Sequence, residues 1–143
     1  MGLTLAQSKD IITHALAEQK KQGFKPMAVV VLGDGGAIKA SESQDGTSQI
    51  RPKVAHGKAF GAYSVGMGSR ALFERAKAEP FFIQALNSLC EGALVPVPGG
   101  VLIRSKDGDL LGAVGITGDI SDNDEACCVA GIEAVGLVAE TGG

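Results

Sequence analysis

The sequence predicts an α+β fold, and three observations carry that prediction. Two stretches, "PMAVVVLGDGGAIKASES" and "PVPGGVLIRSKDGDLLGAVGITG", read as β-hairpins rather than as lone strands. Hairpins pair antiparallel, so the sheet is expected to be largely antiparallel. Helical segments stand before, between and after them. The 143 residues are 45% hydrophobic and 20% charged, enough apolar material for one core, so residues 1–143 are expected to form a single domain.

The elements follow in order. "TLAQSKDIITHALAEQKKQ" puts Leu5, Ile12, Ala15 and Leu16 on one side, with Thr4 as N-cap and Gly23 as the stop, and predicts a first helix. Hairpin one is an apolar β-branched run turned at Gly-Asp-Gly-Gly into a more alternating strand. In "RPKVAHGKAFGAYSVG", Pro52 fits an early helical position, and Ala55, Ala59 and Ala62 predict close packing. "SRALFERAKAEPFFIQALNSL" predicts two short helices, one opened by Ser69 and the next begun where Pro80 interrupts the turn. Hairpin two turns at "KDGD". "SDNDEACCVAGIEAVGLVAE" predicts a last helix opened by a capping-box-like pair, Asp122 and Glu125, with Val129, Ile132, Val135 and Leu137 as its apolar residues.

Glycine is the compositional oddity. There are 21, and each costs about 0.5–1 kcal/mol inside a regular element. Gly112, Gly115 and Gly118 weaken a strand that follows Pro98-Gly99-Gly100. Either a helix crosses so close that side chains would clash, or a ligand needs bare backbone; the small residues of "AHGKAFGA" favour the helix.

Charge and composition exclude several classes. A net charge of −3, a pI near 5.3 and basic residues without a dense run leave no footprint for nucleic acid. The longest apolar runs are strand-sized, so no membrane partner is expected, and the N-terminal stretch lacks the pattern of an export signal. Cys90, Cys127 and Cys128 offer no two-plus-two metal spacing and read as reduced thiols, Cys127 and Cys128 as core, which points to a cytoplasmic location.

Chemistry concentrates near His56. His14 sits mid-helix among polar residues and reads as a solvated side chain, whereas His56 opens "AHGKA" with Lys58 beside it and Phe60 and Tyr63 further along. A histidine, a cation and aromatic edges lining one concavity is one reading; a surface histidine on a helix packed through alanines is the other. Lys58 is read either as a solvated charge or as an anion partner. "LGDGGAIK" joins two strands and lacks the Gly-Lys-Ser/Thr of a phosphate loop, so nucleotide binding there is rejected. Asp124 and Glu125 read as cap residues, with a general-base role as the sharper alternative.

Taken together, "GDGG", "AHGKAFGAYSVGMGSRALFE", "VPGGVLIRSKDGDLLGAVGITG" and "DNDEACCVAGIEAV" resemble the GlcG/HbpS family of small haem-binding proteins, a domain also found at the C-terminus of PduO-type corrinoid adenosyltransferases. The resemblance implies a profilin-like fold, a five-stranded antiparallel sheet flanked by helices, assembled as a homo-oligomer. It implies haem as cofactor, with a corrinoid ranked behind it, and a role in haem storage, sensing or turnover. Lys58-Ala59, Gly99-Gly100 and Asp124-Glu125 match family positions. His56 stands where the family usually has Arg, and an imidazole there is able to ligate iron or move a proton.

Two functions result. In the first, a tetrapyrrole binder, His56 is the axial metal ligand. Lys58 or Arg51 lies near the propionates, Gly99 and Gly100 form a backbone-lined mouth, and Tyr63 with Phe60, Met67, Phe81 and Phe82 supplies the walls. In the second, a small catabolic enzyme of isomerase or hydrolase type, His56 or Glu125 is the acid or base acting on a carboxylated small molecule. Lys58 is then the carboxylate clamp, and the Gly99 and Gly100 N–H groups stabilise an oxyanion.

Overall fold

The first helix, α1 (Leu5–Gln22), begins where the sequence places its cap. The Thr4 hydroxyl accepts from the Gln7 N–H at 3.0 Å, while the Gln7 side chain accepts from the Thr4 N–H at 2.9 Å, and Gly23 ends the helix at φ 70°. Its buried stripe is Ser8, Ile11, Ile12, Ala15 and Gln19. Leu5, expected on that stripe, is 53% exposed, because packing begins only in the second turn.

The computed structural model describes residues 2–143. After α1 come β1 (Ala28–Leu32), a 3₁₀ turn at Asp34–Gly36, β2 (Ile38–Ser43), α2 (Arg51–Val65), α3 (Ser69–Ala78) and α4 (Pro80–Leu89). β3 (Gly100–Arg104), β4 (Leu110–Thr117), α5 (Ser121–Ala134) and β5 (Val138–Glu140) complete the chain. The five strands form one sheet in the order β2-β1-β4-β3-β5, with every neighbouring pair antiparallel. The α+β class and both hairpins are as expected.

The strands alternate between two cores. Val29, Val31, Val101, Ile103, Val114 and Ile116 pack with α1 and α5, while Ala28, Val30, Leu32, Leu102 and Ala113 pack with Ala55, Ala59 and Ala62 of α2. A third cluster, Leu72, Ile83 and Leu94, seats α3 and α4.

Two expectations about the last segment need correction. The helix stops at Ala134, Gly136 turns the chain at φ 78°, and Val138–Glu140 pairs with β3 as the fifth strand. The Asp122/Glu125 capping box does not form either: Ile120 occupies the cap position, and both carboxylates turn outward to Arg70.

The glycines are answered by close packing. Gly100 and Gly115 are cross-strand partners. A Cβ on Gly100 would strike the Lys58 carbonyl, and one on Gly115 would strike the Ala55 carbonyl and lie 2.9 Å from the Ala59 nitrogen. The backbone of α2 therefore rests directly on the sheet. On the other side of the helix, Gly57 and Gly61 leave room for Val95 and Leu94, where a Cβ would come within 2.6 and 2.8 Å. Gly112 serves a neighbour within the sheet instead, the Leu32 carbonyl of β1.

Candidate functional site

Because α2 covers only part of its face of the sheet, the inner side of β2 is left bare beside it. There the chain opens a cleft of about 460 Å³, lined by Val30, Ile38, Ser41, Pro52, Lys53 and His56, with the loop 91–93 as its far wall. That volume falls within the range of small-molecule sites. Pro52 fixes the first turn of α2, and His56, three residues after Lys53, reaches the same opening as Lys53. The His56 ring stacks on Phe60, centroids 5.3 Å apart and planes 19° from parallel. That contact holds the ring by its face. Neither of its nitrogens has a hydrogen-bond partner among the described residues, in contrast to His14, whose Nδ1 lies 2.8 Å from the Asp10 carbonyl.

The other candidates are not gathered around His56. Lys58 is 2% exposed, and its ammonium donates to Asp124 Oδ2 at 3.0 Å and to the Ile116 carbonyl at 2.9 Å. It is neither a solvated charge nor a group turned to the cleft. Its anion is supplied by α5, across the sheet from its own helix. Burial pushes the Asp124 carboxyl above the usual range, against the pull of Lys58 and of the Asp119 N–H that its Oδ1 accepts. Gly99 and Gly100 lie buried over this pair rather than at a mouth. A Cβ on Gly99 would come 2.8 Å from the Lys58 ammonium, and the Gly100 N–H is spent on Ser69 Oγ at 2.7 Å.

Tyr63 points to the β1–β2 connection, where its hydroxyl accepts from the Gly35 N–H at 2.9 Å. Arg51 donates to Thr117 Oγ1 at 2.8 Å and opens onto a different, smaller cavity. Glu125 is held by Arg70, with Nε–Oε2 at 3.0 Å, and Glu125 and Asp122 together raise the guanidinium's pKa. Phe81, 84% exposed on α4, and Phe82 are not cleft walls; Val30, Ile38, Pro52 and Ala93 are. The vicinal cysteines are core, as expected: burial pushes Cys127 up to about 12 and Cys128 well above the usual thiol value.

Lys53 and Glu91 line the cleft and were not anticipated. The spacing of Lys53 to His56 on a helix begun at Pro52 carries the signal for the first. Glu91 carries none. It follows α4 with φ 55°, the one non-glycine at positive φ among the described residues, a placement set by the loop's closure.

The family described as "Haem degrading protein HbpS-like" matches residues 3–133. Among solved structures, the chain is similar to a PduOC:heme complex with TM-score 0.85 and 19% identity, covering 96% of this chain and 98% of that one. It is similar to the Klebsiella pneumoniae protein ORFY with TM-score 0.84 and 16% identity, over 94% and 90% of the two chains. A crystal structure of HbpS gives TM-score 0.81 and 24% identity, over 94% and 91%. At these identities the likeness is one of fold. No curated protein sequence matches the chain.

Proposed function

Since the chain belongs to the HbpS-like family, we propose that it binds haem in the cleft beside α2, with His56 as the residue that would hold the iron. The observation that carries this reading is an imidazole stacked on Phe60 with both nitrogens unengaged, standing in a cleft with apolar walls. The residues fit the group: a flat apolar macrocycle suits Val30, Ile38, Pro52 and Ala93, and its iron suits an imidazole. The carboxylate arms find their cation in Lys53, since Lys58 is committed to Asp124. Bound iron supplies redox and ligand-binding chemistry; the chain's own part is to orient the ligand and shield one of its faces. Storage, sensing and turnover all begin with that binding step.

The enzyme reading keeps His56 in the cleft but not the groups named with it. Glu125 is ion-paired with Arg70, the Gly100 N–H is bonded to Ser69, and neither residue lines the cleft that holds His56.

A haem titration followed by absorbance tests the proposal. Wild type gives a saturable Soret shift, His56→Ala loses it, and Lys53→Gln weakens binding about two- to fivefold, as for an exposed ion pair. Soret shifts that are the same in wild type and His56→Ala would overturn the ligand assignment.

A further inference from the structure

We propose a second, separate ligand site: a pocket for a small oxyanion, the carboxylate or phosphate group of a metabolite, held by Arg51 and Lys25. Four arginines occur in the chain. Arg70, Arg75 and Arg104 each have a carboxylate within 3.0 Å, whereas Arg51 is half-buried with no acidic partner among the described residues. Its protein bond is to the hydroxyl of Thr117, itself 1% exposed, which anchors the guanidinium while neutralising none of its charge.

Arg51 lines a cavity of about 220 Å³ with Lys25, Thr47, Ser48 and the glycines Gly46 and Gly118. That size suits a small acid rather than a macrocycle. Lys25 likewise lacks an ion pair among the described residues. Asp119, on the neighbouring loop, feels the Lys25 charge but makes no bond to its ammonium; its oxygens accept from the Lys25 N–H at 2.8 Å, the Ile120 N–H at 2.7 Å and Asn123 Nδ2 at 2.8 Å. Arg51 without an acidic partner, beside Lys25 whose ammonium makes no ion pair, on a concave and partly desolvated surface, forms a receptor for an anion. No residue lining this cavity lines the cleft of His56, so the two sites are independent.

The test is thermal unfolding with inorganic phosphate or malonate, each compared with sodium chloride at matched ionic strength. One or both raise the midpoint by about 4 °C at tenfold over the dissociation constant. The oxyanion giving the larger rise identifies the class. The rise is lost in Arg51→Met and in Lys25→Met, partly kept in Arg51→Lys, and intact in His56→Ala. Because Lys25 makes no side-chain bond to the rest of the fold, its variant reads the site even if Arg51→Met unfolds. No rise with either anion, an equal rise with chloride, or a rise undiminished in Lys25→Met would overturn the proposal.

Discussion

Lys58 shows how far a residue's neighbours outweigh its type. A lysine two positions after a candidate ligand suggests an anion-binding group, yet its ammonium is sealed between Asp124 and the Ile116 carbonyl. Breaking such a pair strands a buried charge, so Lys58→Ala should lower unfolding stability by about 3–5 kcal/mol in urea titrations. Exchanging both partners for apolar residues of similar size, Lys58→Met with Asp124→Leu, should recover most of that loss. Asp119 behaves differently. Hydrogen bonds from the Lys25 and Ile120 N–H groups and from Asn123 hold its carboxyl below the usual range. Its folded pKa is lower than its unfolded one, so its stabilisation is complete above the ordinary carboxylate value and fades as pH falls through the folded value. Thermal midpoints of wild type and Asp119→Ala should therefore differ at pH 6 and draw together as the pH is lowered below the ordinary carboxylate range.

Among the elements, α2 determines most. It lies against the sheet because Gly100 and Gly115 oppose one another beneath it, and it carries His56 and Lys53 to one edge and Lys58 inward. Adding one methyl at Gly115 drives it into the backbone of α2, so Gly115→Ala should destabilise by about 3 kcal/mol and weaken haem binding by shifting the helix, measured by unfolding and titration together. The hairpins, the caps of α1 and the break at Pro80 were legible in the sequence because each rests on local chemistry. β5 was not, since three residues after a glycine turn make a strand only through pairing with β3. The capping box at Asp122 failed for the same kind of reason: Arg70, 52 positions away in sequence, outcompetes the local bond.

For the molecule as a whole, the sequence singled out His56, which lines a cleft, but could not choose the residues that line it with His56. Helical spacing orders residues around one helix and says nothing of which sheet edge stays open beside it. Lys53 faces the open edge at β2, Lys58 turns inward to Asp124, and Arg51 faces a different cavity. The most direct measurement on the central claim is chemical rescue. In His56→Gly titrated with haem, added imidazole should restore the saturable wild-type Soret shift by refilling the vacated position. A wild-type spectrum in that variant without imidazole, or none recovered at saturating imidazole, would contradict ligation by His56.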